Sequence, residues 1–129
     1  AKLASFYGLN FCLEPNSKFY KCNFVNNLGE AIKIIKKVKN KNFLINADTG
    51  NIFLEKDKCN IKKNLKFIEN VQISEKNLIS ISKGKINHKK ILKKLNVKNK
   101  IISLEMLNTK IKIFRKDISK FINITSEFV

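Results

Sequence analysis

The chain has 129 residues, the length of one small domain, and 27 Lys and Arg against 10 Asp and Glu give it a net charge of +17. Its 43% hydrophobic residues include ten phenylalanines, so it can bury a core and is not disordered for lack of apolar side chains. No apolar run approaches the ~20 residues of a membrane helix, and we therefore expect no membrane partner.

A two-residue period of apolar side chains predicts strands in four places after an N-terminal extension over residues 1–17. These strands are expected at 20–24, 43–47, 65–73 and 78–82. The sequence Asp48-Thr49-Gly50-Asn51 predicts a turn, after which Ile52 to Glu55 would form a returning strand.

The segment 31–39 fits two structures. Asn27 followed three residues later by Glu30 has the pattern of a capping box, which would start a helix. The β-branched Ile32 and Ile34 would equally suit a strand. Periodicity alone leaves both alternatives open.

After residue 85 the apolar period lengthens to three and four, which is typical of helices. We predict a short helix that begins at Asn87, and then a mostly helical segment 97–122 with a possible break near Asn108-Thr109. The predicted architecture is mixed, with a small β-barrel or curled sheet followed by helices.

Lysine is concentrated between Glu75 and Glu105, where nine lysines occur and no acidic residue interrupts them. Such a run can be a solvated face, but like charges at helical spacing repel, and a phosphate backbone would relieve that repulsion. We therefore predict an RNA-binding surface made of Lys33, Lys36, Lys37, Lys39, Lys41, Lys62, Lys63, Lys83, Lys85, His88, Lys89, Lys90, Lys93, Lys94, Lys98, Lys100 and Arg115.

No catalytic or metal-binding pattern is visible in the sequence. The three cysteines are irregularly spaced and His88 lies far from them, so we expect free thiols, no metal and no cofactor. The acidic residues Asp48, Glu55, Asp57 and Glu69 stand singly beside turns and lysines, and we expect them to be solvated surface carboxylates rather than Mg²⁺ ligands of a nuclease.

Several segments resemble the eukaryotic-type large-subunit ribosomal protein family fourteen-e. The stretch 29–38 resembles the glycine-led strand of that family, and 42–46 its following strand. The stretch 64–73 is similar to the strand that leaves its barrel, the basic crossing 78–97 to its entry into helices, and 117–121 to an Asp-x-x-x-Phe element of its last helices.

The resemblance implies an SH3-like (KOW-type) β-barrel over residues 18–82 and a basic helical region over 83–129, with 31–38 as a strand. It also implies a non-catalytic constituent of the large (60S-type) ribosomal subunit in the cytoplasm. The expected partners are ribosomal RNA and neighbouring ribosomal proteins, with no small-molecule substrate. The alternative is a free-standing module that binds RNA or single-stranded nucleic acid.

Overall fold

The structure, a computed structural model, describes residues 1–57, 59, 61–107 and 110–128. Strands and helices alternate along most of the chain. In order they are α1 (Lys2–Phe6), β1 (Phe11–Leu13), α2 (Leu28–Val38), β2 (Phe43–Asp48), α3 (Thr49–Leu54), β3 (Ile68–Ile73), α4 (His88–Leu95), β4 (Ile101–Leu104) and α5 (Ile111–Thr125). Three short 3₁₀ helices, Lys18–Tyr20, Ile61–Phe67 and Lys76–Leu78, lie in the connections.

The four strands form one sheet in the order β1-β2-β3-β4, and every neighbouring pair is parallel. Each connection between strands carries at least one helix, which returns the chain to the same end of the sheet. All four strands therefore end at one edge, which is called the carboxyl edge below.

The core lies between the sheet and the helices on its outer side. Ile45 and Val71, on the two central strands, are completely buried. They pack in one cluster with side chains such as Leu28 of α2 and Leu92 of α4. Burial of these aliphatic side chains stabilises the sheet and fixes which face of each strand points away from the helices.

The predicted SH3-like barrel is wrong, because an SH3-like barrel is antiparallel and this sheet is parallel. The error begins at Asp48, whose side chain accepts a hydrogen bond from the Asn51 amide at 2.6 Å and caps α3. The same residues that predicted a turn therefore start a helix, and the returning strand expected at 52–55 does not form.

The segment 31–39, for which the sequence allowed either a helix or a strand, belongs to the helix α2 and its C-terminal cap. In α2 the Asn27 side chain accepts from the Glu30 amide at 3.0 Å, and the Glu30 carboxylate accepts from the Asn27 side chain at 3.0 Å. The helix cap at Asn27 is thus confirmed, although Glu30 accepts from the Asn27 side chain and the Asn26 amide rather than from the Asn27 amide of a standard capping box. The strand implied by the ribosomal resemblance is wrong.

Some of the other predicted strands and helices are present in the structure and others are not. The strands at 43–47 and, in its later half, 65–73 are confirmed, and so is the helix capped by Asn87. The strands at 20–24 and 78–82 are absent, since these described segments lie in connections. The helix expected over 97–122 is instead β4 followed by α5. The break expected at Asn108-Thr109 lies outside the described residues.

Within the described part of the chain, no helix combines the length and the apolar character needed to cross a bilayer.

Candidate functional site

The carboxyl edge of the sheet carries an acidic residue after three of the four strands. Glu14 follows β1, Asp48 ends β2, and Glu105 follows β4. Parallel strands bring these residues together although they are far apart in sequence. In parallel α/β sheets ligands bind at this edge, because the loops there vary without disturbing the core.

A cavity of about 180 Å³ opens at this edge. All three carboxylates line it, together with polar side chains from the loops. The other lining residues are Pro15, Asn16, Ser17, Tyr20, Gly50, Asn51, Ser74 and Leu78. No lysine or arginine belongs to this described lining, although the chain has a net charge of +17. The cavity is therefore an acidic site in a basic protein.

Asp48 is the most perturbed group of the site. It is 6% exposed, and its Oδ2 has no hydrogen-bond partner among the described residues, while Oδ1 caps α3. Burial raises the pKa of Asp48 to about 6, and the nearby Glu14 and Glu105 charges add to this, whereas the Asn51 amide and the Ser74 hydroxyl oppose it. Asp48 thus exchanges its proton close to neutral pH.

Glu105 and Glu14 flank Asp48 from the outer strands. Burial raises the pKa of Glu105 above its ordinary value, and the Glu14 charge contributes. Glu14 is held in place by Asn46 of β2, whose side-chain amide donates to Glu14 Oε2 at 2.9 Å and to Gln72 Oε1 at 2.5 Å. Hydrogen bonds that link Glu14, Asn46 and Gln72 across β1, β2 and β3 therefore fix the position of Glu14 in the acidic cavity.

The predicted RNA-binding residues lie elsewhere. Fourteen of the seventeen are exposed, Lys89 and Lys100 are half-buried, and none of them lines the acidic cavity. Lys89 and Lys93 each lie 3.6 Å from the Glu127 carboxylate, and the Lys100 ammonium donates to the Ile68 carbonyl at 2.5 Å. Their role in binding RNA stays a prediction.

His88 differs from the rest of that set, since it is 2% exposed. Burial lowers the pKa of His88, with the Glu75 interaction opposing this and the Lys120 charge adding to it. A buried imidazole with internal partners cannot contact an RNA backbone without unfolding the first turn of α4.

The expectation that the acidic residues are all solvated is wrong for Asp48. Glu14 and Glu105 were missed as site residues. A signal was present, because β1, β2 and β4 are short and mainly apolar, and an acidic residue ends the strand (Asp48) or directly follows it (Glu14 and Glu105). That repeated strand-then-acid pattern marks the carboxyl edge of a parallel sheet once the strands are known to be parallel.

A family model described as a xylose isomerase-like TIM barrel matches residues 1–124 of the chain. Two solved sugar epimerases have a similar fold. A D-psicose 3-epimerase with D-tagatose from Clostridium cellulolyticum H10 has 16% identity and a TM-score of 0.77, over 98% of this chain and 52% of that one. A 3-keto-D-glucoside 4-epimerase from E. coli has 16% identity and a TM-score of 0.81, over 97% and 49%.

A third structure, the IOLI protein with a bound zinc atom, has 17% identity and a TM-score of 0.68, over 99% of this chain and 53% of that one. The chain thus spans about half the length of these three structures. A comparison with curated protein sequences finds no match.

The zinc atom of that similar structure has no matching set of ligands among the described residues of this chain. Among the described residues, no group of three or more His, Cys, Asp and Glu side chains is arranged to hold a metal ion. The acidic cavity offers oxygen atoms and no imidazole or thiolate, whereas zinc favours nitrogen and sulfur ligands. The described residues do not fit a zinc centre, and no step below is assigned to a metal.

These comparisons overturn the ribosomal resemblance, since the matched family is described as a xylose isomerase-like TIM barrel and two of the similar structures are sugar epimerases, not KOW proteins. The predictions of a non-catalytic ribosomal constituent, of ribosomal RNA and ribosomal proteins as partners, and of no small-molecule substrate are wrong for the same reason. Two of the three similar structures are sugar epimerases. From the match over residues 1–124, we conclude that the chain belongs to the xylose isomerase-like TIM barrel family.

Proposed function

We propose that the protein is a sugar isomerase or epimerase that moves a proton next to a carbonyl group. The single observation that carries this proposal is Asp48, a buried carboxylate with a pKa of about 6 in an acidic cavity at the carboxyl edge. A general base is most effective when its pKa lies near the working pH. The sugar epimerases of similar fold support the substrate class.

The geometry suits a reaction in which one carboxylate removes a proton and another returns one. The base takes a proton from the carbon beside the sugar carbonyl, and the bonding electrons form an enediolate. Return of a proton to the opposite face of that carbon gives the epimer, and return to the neighbouring carbon gives the isomer. Asp48 is the proposed base, and Glu105, whose pKa is also raised, is the proposed second proton carrier.

The substrate is proposed to be an unphosphorylated sugar. Three carboxylates and no lysine or arginine line the described cavity, so a phosphate group would meet repulsion there. Hydroxyl groups of a neutral sugar would instead find acceptors in the carboxylates and donors in Asn16 and Tyr20.

We also place the protein in the cytoplasm. Cys12, Cys22 and Cys59 are all free and half-buried, as expected in a reducing compartment.

Proton transfer is tested by incubating the protein with free keto sugars in D₂O and following deuterium uptake at the carbon beside the carbonyl by NMR. We expect exchange above the uncatalysed rate and at least a 100-fold loss in Asp48→Asn, since general acid–base catalysis typically contributes about 10²–10⁴-fold.

Glu127→Gln is the matched control, because it also removes one carboxylate but at an exposed position outside the cavity. This variant should keep the wild-type exchange rate. Failure of the wild type to exchange any sugar of the panel, or equal exchange by Asp48→Asn and the wild type, would overturn the proposal.

A further inference from the structure

A buried chain of hydrogen bonds adjoins the acidic cavity, and none of its members takes or gives a proton in the proposed reaction. Glu75 Oε1 lies 3.0 Å from His88 Nε2, and His88 Nδ1 lies 3.0 Å from Thr49 Oγ1. Thr49 Oγ1 in turn accepts the Ser74 amide at 3.2 Å. Glu75, His88 and Thr49, which we call the relay, are each at most 3% exposed.

The roles along the relay follow from the acceptors at its ends. A carboxylate only accepts hydrogen bonds, so His88 Nε2 carries a proton and donates a hydrogen bond to Glu75. Burial lowers the pKa of His88, which favours the neutral ring, and in a neutral ring with its proton on Nε2 the Nδ1 atom accepts from the Thr49 hydroxyl. The Thr49 oxygen also accepts the Ser74 amide. The hydrogen bonds of the relay therefore all run the same way, from the Ser74 amide through Thr49 and His88 to the Glu75 carboxylate.

The relay joins the two strand ends that form the middle of the cavity. Thr49 follows Asp48 at the end of β2, and Ser74 follows β3. Contact there is close, since a Cβ on Gly50 would lie 2.4 Å from Ser74 Oγ and 3.1 Å from Asp48 Oδ1. The Ser74 hydroxyl lowers the pKa of Asp48, so the position of Ser74 sets part of the carboxylate's environment.

The far end of the relay is anchored in the loop before α4. Glu75 Oε1 also accepts the Ile86 amide at 3.1 Å. Gly84 lies against the same carboxylate, where a Cβ would be only 1.9 Å from Glu75 Oε1. Replacement of Gly84 by any larger residue would therefore push Glu75 out of its place.

We propose that His88 is a positioning residue, which acts through Thr49 to hold Ser74 against Asp48. The relay keeps the two strand ends at a fixed distance and keeps water away from the buried side of the carboxylate. Its catalytic role rests on the proposed function, but its effect on Asp48 exists without any substrate.

The test compares Thr49→Val with Thr49→Ser by NMR titration of the Asp48 carboxyl carbon in the full chain. Valine has the shape of threonine without the hydroxyl, so it breaks the relay, whereas serine keeps it. We expect Thr49→Val to raise the pKa of Asp48 by about one unit, because the Ser74 amide loses its acceptor and the Ser74 hydroxyl, which lowers that pKa, is no longer held beside the carboxylate. Thr49→Ser should titrate as the wild type does.

A second pair of variants tests the other end of the relay. Glu75→Gln keeps an oxygen that accepts from His88 and should leave the Asp48 titration unchanged, while Glu75→Leu removes it and should raise the pKa of Asp48. Nitrogen NMR of His88 should report the Nε2-protonated ring in the wild type. An unchanged Asp48 titration in folded Thr49→Val and Glu75→Leu would overturn the proposal.

Activity provides the separate readout of the proposed function. In deuterium exchange, Thr49→Val should lower kcat with little change in KM, and Thr49→Ser should restore kcat. Absence of exchange in the wild type, together with the expected Asp48 titrations, would reject the sugar reaction while leaving the positioning role intact. An unchanged kcat in Thr49→Val would overturn the positioning role.

Discussion

Asp48 occupies a position where its charge costs stability. Its folded-state pKa of about 6 lies above its ordinary value of 3.8, so the folded protein holds the proton more tightly than the unfolded chain does. The contribution of this group to the free energy of unfolding is fully present below about pH 3.8 and is lost as the pH rises through about 6. A buried carboxylate without a salt-bridge partner fits a residue kept for chemistry rather than for folding.

Asp48→Asn should therefore stabilise the protein, because it removes a buried charge and keeps an oxygen that can cap α3. We expect the free energy of unfolding at pH 7.5 to rise by about 1–3 kcal/mol relative to the wild type. The gain should disappear near pH 4. Urea unfolding across that pH range measures it, and Glu127→Gln, at the surface, serves as control. A loss of stability at pH 7.5 would contradict the argument.

At the scale of single elements, α2 depends on its cap. Its first turn is fixed by the reciprocal contacts of Asn27 and Glu30, and its buried side carries Leu28, Ala31 and Ile32. Asn27→Ala removes the acceptor for the Glu30 amide, and we expect unfolding free energy to fall by about 1 kcal/mol. Denaturant unfolding measures this against Asn23→Ala, an exposed position outside the helix. Equal stabilities of the two variants would show that the cap is dispensable.

Elements governed by neighbouring residues could be predicted from the sequence. The caps at Asn27 and Asn87 were visible because a cap involves residues only three apart. The segment 48–55 was misread because Asp-x-Gly chemistry suits both a turn and a helix start, and the choice depends on packing against β3. The three-and-four apolar period over 97–122 predicts Phe114 on the buried face of one helix, but Phe114 is 45% exposed, since that segment forms a strand and then a helix.

At the scale of the whole molecule, the site is assembled by strand pairing between distant segments. Glu14, Asp48 and Glu105 are more than thirty residues apart from one another, and only the parallel sheet brings them to one edge. Charge misled the functional interpretation, because none of the lysines lines the acidic cavity as described and the proposed chemistry depends on carboxylates. Net charge describes the surface and does not identify the fold.

The outer strands of the four-stranded sheet are open in the 129-residue chain. Among the described residues, β1 pairs only with β2 and β4 only with β3, so each has an edge without a strand partner. Phe11 and Ile101 on these edges are 52% and 69% exposed. Open parallel edges with apolar side chains favour pairing with further strands, and a second copy could close the sheet by placing its β1 beside β4.

We therefore expect the isolated 129-residue chain to self-associate, and more strongly in salt, because salt screens repulsion between chains of charge +17. Ile101→Lys should shift the chain toward monomer, since pairing at this edge would bury the lysine and its charge. Val38→Lys adds the same charge at an exposed position on α2 and should leave association unchanged. Sedimentation velocity at low and high salt measures the outcome. A wild-type chain that stays monomeric at high salt, or equal effects of the two lysines, would show that the edges do not drive association.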